Sequence, residues 1–262
     1  MRFLRRLLAR PTPLSFDAPR APDRAFCAIG DIHGRDDLLE RMLERLGQTL
    51  PEDAPMIFVG DYIDRGEKSA QVLRQLHALQ TGPTSGDPSG ATPREVICLM
   101  GNHERMMLDF LDSPARHGPR WNRYGGLQTM ASFGLGFVSD NAGEEAWIKQ
   151  RDQLRTALGP DLESWLTKLP LHWSSGNVTV VHAAADPALP IPEQSSQTLL
   201  WGHEAFETTP RGDGQWIVHG HTIVDMPHET AGRIAVDTGA YATGRLTAAL
   251  LRPDGMLDFL QA

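Results

Sequence analysis

Cysteine is nearly absent from this chain: Cys27 and Cys98 are the only two in 262 residues. That excludes a disulfide-built scaffold and a thiolate zinc site, both of which need clustered cysteines. Each lies inside an apolar run, as a small buried residue does. A bridge between them would require their strands to be neighbours, and nothing else points to an oxidising compartment. Long hydrophobic runs are also missing; no segment approaches the ~20 apolar residues of a membrane-spanning helix. Positive charge is in deficit, with 25 Lys and Arg against 33 Asp and Glu and a formal net charge of −8. That argues against a general nucleic-acid binder, though it leaves room for a local cationic pocket. No internal repeat or linker-like segment stands out. The expectation is a soluble cytoplasmic protein long enough to bury a substantial core.

Residues 1–24 read as a basic, proline-containing arm. Its first ten residues are amphipathic and cationic but lack the apolar stretch and cleavage site of a signal peptide. A loose arm is the simplest reading, and a helix for a membrane surface or a partner is the sharper one.

Downstream, residues 25–29 read as a buried strand. Leu38, Leu39, Met42, Leu43, Leu46 and Leu50 then recur at helical spacing. Residues 56–59 repeat the strand signal, Val72, Leu73, Leu76 and Leu79 the helical one, and 95–100 give a third strand. Between them, 81–93 is a Gly-, Pro- and Ser-rich loop. This βαβαβ order implies a parallel sheet with ligands beyond the carboxyl ends of its strands. Residues 105–169 read as a mostly helical insertion, after which strands return at 178–181, 216–218, 233–236 and 246–251. The expected architecture is α/β, a two-sheet sandwich flanked by helices in four layers, formed as one domain by residues 25–262.

Three loops carry the chemistry: Gly30-Asp31-Ile32-His33-Gly34, Gly60-Asp61-Tyr62-Ile63-Asp64-Arg65-Gly66 and Gly101-Asn102-His103-Glu104. Each follows a strand-like run, and together they suit a two-metal phosphoesterase site. Two divalent cations about 3.5–4 Å apart neutralise phosphoryl oxygens and acidify a water. Such a site needs a bridging carboxylate and mixed oxygen and imidazole donors, which favours Mn²⁺, Fe or Zn²⁺. Asp31 and His33 can face one ion, Asp61 can bridge, and Asn102, His182 and His221 can serve the other. His103 is placed to protonate a leaving oxygen, Asp64 to orient its ring, and Arg65 to grip phosphate.

Plainer roles compete with these. A lone Gly-Asp before a helix is usually an N-cap, and Asn102 could cap a helix starting at His103. His182 could be a core histidine, and one of His219 and His221 is not a ligand. Asp237 reads as the start of a turn. His77, His117, His172 and His228 read as surface or packing residues.

These motifs resemble the signature of the phosphoprotein phosphatase family of metallophosphoesterases, shared by bacterial and phage-type serine/threonine phosphatases and symmetrical diadenosine tetraphosphatases. The resemblance extends over roughly residues 25–251, through Trp121 to Gly134, Val181-His182-Ala183, Val218-His219-Gly220-His221-Thr222 and Asp237-Thr238-Gly239-Ala240. It implies a dinuclear centre, usually of Mn²⁺, with the first ion on Asp31, His33 and Asp61 and the second on Asp61, Asn102, His182 and His221. It further implies in-line attack by a metal-bound hydroxide, with His103 as general acid, Asp64 as its partner and Arg65 on phosphate. The substrate it implies first is phosphoserine or phosphothreonine in a protein. Diadenosine tetraphosphate split into two ADP comes next, then polyphosphate, while a silent phosphate-sensing module is the reading from another class. Two positions depart from the pattern. Tyr124 stands where the family has Asn, and His203 stands where many bacterial members carry a second phosphate-binding Arg.

Overall fold

The structure, a computed structural model, describes residues 16–82 and 94–262. Residues 83–93 of the loop expected at 81–93, and most of the expected arm, therefore lie outside the described residues; Thr81 itself ends a helix. The first sheet is built from β1 (Phe26–Ile29), β2 (Met56–Phe58), β3 (Val96–Cys98), β9 (Thr247–Leu251) and β10 (Leu257–Gln261), in the order β10-β9-β1-β2-β3. The β1-β2-β3 core is parallel, with Cys27 opposite Met56 and Phe58 opposite Cys98. β9 and β10 add antiparallel strands at the other edge. The second sheet holds β4 (His172–Ser175), β5 (Val178–Val181), β6 (Trp216–His219), β7 (His228–Thr230) and β8 (Arg233–Ala235), in the order β4-β5-β6-β8-β7.

Side chains alternate across a strand, and that period sorts the core into layers. Phe26, Ala28, Ile57, Val59, Ala249 and Leu251 point from the first sheet into one buried cluster with Val178, Val180, Val218, Ile234 and Val236 of the second. Their alternates Cys27, Ile29, Phe58, Cys98 and Ala248 face outward, onto α1 (Asp36–Thr49) and α2 (Ser69–Thr81). The same outer cluster takes in Phe110, Trp121, Trp147 and Trp165 of the expected insertion. That segment is helical, as α3 (Asn102–Asp112), α4 (Pro114–Trp121), α5 (Leu127–Ser132), α6 (Glu144–Leu158) and α7 (Pro160–Thr167), and it shares the sheet's core. On the far side, Val181 and Ile217 pack under the short α8 (Ser196–Trp201) and its loops, which form a thin fourth layer.

Cys27 and Cys98 lie on strands separated by β2. At about 4.8 Å per strand they are beyond disulfide reach, and both are free and buried. Burial pushes the Cys27 thiol up to about 12, so it stays protonated and inert. The described end of the arm is docked. Phe16 meets the Trp216 ring edge-on at 5.1 Å, and Trp216 Nε1 donates to the Ala18 carbonyl at 2.9 Å. All the loops that carry chemistry leave the carboxyl ends of β1, β2, β3, β5, β6 and β8 and converge on one rim between the sheets.

Candidate metal centre

Backbone strain marks that rim. Among the described residues, six non-glycine residues take a left-handed φ, and five of them are His33, Asp61, Asp64, Arg65 and His221. The neighbouring contacts must over-determine such conformations, which L-residues otherwise avoid. Glu104 supplies much of that constraint. It is fully buried and accepts from the amides of Asp61 (2.9 Å), Tyr62 (2.8 Å), Ile63 (3.3 Å) and Gly101 (3.0 Å), tying the second loop to the third.

Asp61 is at the centre. Its Oδ2 lies 3.5 Å from His33 Nε2 and its Oδ1 3.4 Å from His182 Nε2. Ligand-type atoms of His33, Asp61 and His103 lie within 4.8 Å of one another, as do those of Asp61, His182 and His221. Only Asp61 belongs to both groups, the position a bridging carboxylate needs. Asn102 Oδ1 faces His182 Nε2 at 2.8 Å and His221 Nδ1 at 3.0 Å, so three donors converge. Asn102 is the first residue of α3 and is itself buried, with its side chain turned to the histidines.

Asp31 joins neither group. Its carboxylate is buried and accepts from the His221 amide at 3.1–3.2 Å. It remains electrostatically linked to Asp61, since burial, then Asp237, then Asp61 push its carboxyl well above the usual range. His219, the other candidate of the His-Gly-His run, bonds Gly220 and packs edge-on against Phe206 at 4.9 Å.

The residues fit divalent cations. His33 Nε2 is buried with no partner, the orphaned lone pair a ligand presents. Burial lowers His33 to about 3 and His182 to about 4, so both rings are neutral donors at neutral pH. His33 Nδ1 is held by the Ile63 carbonyl at 2.7 Å and His182 Nδ1 by that of Val59 at 3.1 Å, which aims each Nε2 inward. No thiolate is near, so the donor set is oxygen and imidazole.

His103 stands at the edge of this cluster. Its Nδ1 is 2.7 Å from Asp64 Oδ2, and its Nε2 is 3.3 Å from Arg65 Nη2. Burial lowers its pKa, but the Asp61 charge and the Asp64 hydrogen bond outweigh that and raise it overall. Asp64 is fully buried and also accepts from Trp121 Nε1 at 2.9 Å and Thr129 Oγ1 at 2.6 Å. Arg65 lies over the Tyr241 ring at 4.8 Å. His203 is engaged elsewhere: its Nε2 is 3.5 Å from Asp186, and its Nδ1 accepts from the Ala205 amide.

A calcineurin-like phosphoesterase family model matches residues 25–225. The chain belongs to that family. It is 26% identical over 247 residues to the bis(5′-nucleosyl)-tetraphosphatase PrpE [asymmetrical] of Bacillus subtilis, covering 85% of this chain and 89% of that one. It is 29% identical over 236 residues to the serine/threonine-protein phosphatase 2 of Escherichia coli, covering 86% and 91%. The fold is similar to a crystal structure described as a candidate diadenosine tetraphosphatase, with TM-score 0.60 and 19% identity over 94% of this chain and 99% of that one. The chain is thus a metallophosphoesterase with an α/β two-sheet fold, a hydrolase of phosphate esters.

Reading the sequence missed Glu104 as an organiser of the loops, Trp121 and Thr129 as donors to the Asp64 carboxylate, and Ser69 and Thr129 as acceptors of the Asp64 amide. Trp121 and Thr129 lie in the Trp121–Gly134 stretch and Glu104 in Gly-Asn-His-Glu, but a motif gives no partner until the chain folds; no motif marked Ser69.

Proposed function

We propose that the chain hydrolyses a phosphate linkage through two divalent ions, Mn²⁺ first and Fe or Zn²⁺ as alternatives. Asp31, His33 and Asp61 would hold the first, and Asp61, Asn102, His182 and His221 the second. When bound, such ions neutralise phosphoryl oxygens and acidify a water to hydroxide near neutral pH. The remaining work belongs to the chain. Arg65 receives the phosphoryl oxygens through its guanidinium fork. His103 delivers a proton from Nε2 to the leaving oxygen, while Asp64 holds Nδ1–H and fixes the tautomer. His203 would add an anion contact only by leaving Asp186. The observation that carries this reading is the His103–Asp64 pair at 2.7 Å beside a carboxylate shared by two groups of ligand atoms.

For the substrate we favour a dinucleoside polyphosphate, on the aromatic and cationic cavity beside Arg65. Phosphoserine or phosphothreonine in a protein is the second reading, supported by the name of the Escherichia coli relative. The two free, buried thiols fit the reducing cytoplasm, where we place the protein. The test is Mn²⁺-dependent product release from diadenosine tetraphosphate and, in parallel, from a phosphothreonine peptide. Preference for the dinucleotide supports the first substrate and preference for the peptide the second. Activity on neither, with two ions bound, refutes both substrate readings.

A further inference from the structure

Next to Arg65 the surface opens into a cavity of about 450 Å³, the one on which the substrate reading above rests, without a role yet assigned to its individual residues. Arg65, Arg123, Tyr124, Leu127, Gln128 and Tyr241 contribute to its wall. The backbone fixes it there. Residues 122–126 join α4 to α5 through a kink at Gly125, whose φ is 113°, and a Cβ on Gly125 would come within 2.6 Å of the Arg65 amide nitrogen. Only glycine lets this turn close on Arg65, and the closure carries Tyr124 to the rim. On the inner side, the Tyr241 ring lies over the Arg65 guanidinium and 5.4 Å from the His33 ring, where cavity and metal cluster meet.

Tyr124 is 49% exposed and Leu127 40%, two apolar surfaces with little packed on them. Arg120 adds a third positive charge, 5.9 Å over Tyr124 and 4.8 Å over Trp201. Arginines gathered around partly exposed rings, in a chain of net charge −8, suit an anion bearing a flat aromatic group. The volume lies within the roughly 300–1,000 Å³ of small-ligand clefts and is larger than a single phenol ring fills.

We propose that this cavity is a nucleoside subsite, in which the base stacks on Tyr124 and the nucleoside's own 5′-phosphate lies on Arg65. The proposal rests on the phosphoesterase reading above. It fixes the point of cleavage. Water adds to the phosphorus nearest that nucleoside, the bridging P–O bond breaks, and the proton of His103 goes to the leaving oxygen. Diadenosine tetraphosphate then yields AMP and ATP, the asymmetrical split carried in the name of the Bacillus subtilis relative, where the split expected from the sequence gives two ADP.

The test is calorimetric titration of AMP, ribose 5-phosphate and phenyl phosphate into the Mn²⁺-loaded protein, with His103→Asn added to suppress turnover. AMP should bind about tenfold or more tighter than the other two, since base stacking is worth about that much. Tyr124→Ala should abolish the advantage and Tyr124→Phe should keep it. Equal affinity for AMP and ribose 5-phosphate, binding of phenyl phosphate as tight as that of AMP, or an advantage that survives Tyr124→Ala overturns the subsite. Hydrolysis by the wild type separates the two levels. Turnover without base preference sinks the subsite alone, whereas base-dependent binding without turnover of any ester sinks the catalytic reading alone.

Discussion

Replacing Asp64 by Asn tests the proposed general acid without removing it. Asp64 Oδ2 takes His103 Nδ1 at 2.7 Å and Trp121 Nε1 at 2.9 Å, and Oδ1 takes the Thr129 hydroxyl at 2.6 Å. An asparagine can leave its oxygen toward His103 and Trp121 and turn its amide toward Thr129 Oγ1, which is able to accept. The ring should therefore keep its place and lose only the charge behind it. A hydrogen bond to a charged partner contributes about 1.5–3 kcal/mol, so kcat should fall about 10- to 100-fold. His103→Asn, which removes the proton donor, should cost about 10²–10⁴-fold.

The assay compares two substrates at saturating Mn²⁺: an alkyl phosphate such as phosphothreonine peptide, and p-nitrophenyl phosphate. The nitrophenolate departs with little help, so its rate should change far less. The alkaline limb should also move. Asp64 is one of the groups that raise His103. Without its charge the imidazolium loses its proton at lower pH, and the alkyl-ester rate should begin to fall at lower pH. Equal losses for both leaving groups, with an unmoved limb, would refute the assignment and make Asp64 a structural residue only.

Three further outcomes follow from the same contacts. Asp61→Asn should leave the protein binding fewer than two Mn²⁺ ions by calorimetry and without measurable turnover, and chelation of the wild type should reproduce the second effect. Glu104→Ala would strand four buried amides. At about 1–3 kcal/mol for each unmet group it should destabilise the fold by at least roughly 3 kcal/mol in urea unfolding, against little change for a surface glutamate such as Glu145. In the metal-free protein, burial pushes Asp237 up to about 6, with the Gly239 amide opposing and Asp61 adding to it. Below about pH 4 this carboxyl is protonated whether folded or not. Between about 4 and 6 only the folded state keeps the proton, so stability should fall as pH rises through that window, by roughly 2–3 kcal/mol. Asp237→Asn should flatten that part of the profile; a profile identical to wild type would show that the carboxyl carries no such penalty.

The three loops were legible because their chemistry is local. Gly30 to Gly34 and Gly60 to Gly66 hold their donors within a few residues of a strand end, and a parallel βαβαβ pattern sends such ends to one rim. His182 and His221 followed the same logic in the second sheet. The strands read poorly were β4, β7 and β10. Their burial is partial at best, and β7 is exposed throughout. An edge strand held by one neighbour's backbone needs no apolar side chains, so it leaves no period to detect. The docking of 16–24 was hidden for a related reason. It depends on Trp216 Nε1 and Asn177, some 150 to 200 residues away, meeting carbonyls and amides that every chain possesses.

The acids of the motifs look alike in sequence and divide in the structure by how far their oxygens are satisfied. Glu104 and Asp64 are saturated, the first by backbone amides and the second by an imidazole, an indole and a hydroxyl. A saturated buried carboxylate has no lone pair left for a cation; it holds the frame. Asp61 differs: its Oδ1 takes one amide, that of His103, while its Oδ2 faces His33 at 3.5 Å, too far for a hydrogen bond. His33 Nε2 opposite it is unpartnered. A buried imidazole nitrogen left without a partner would be a defect in an ordinary core. Here it adjoins residues forced into left-handed φ, beside the saturated pair. The His33 lone pair and the shared Asp61 carboxylate are what the proposed dinuclear site would use to take up a cation.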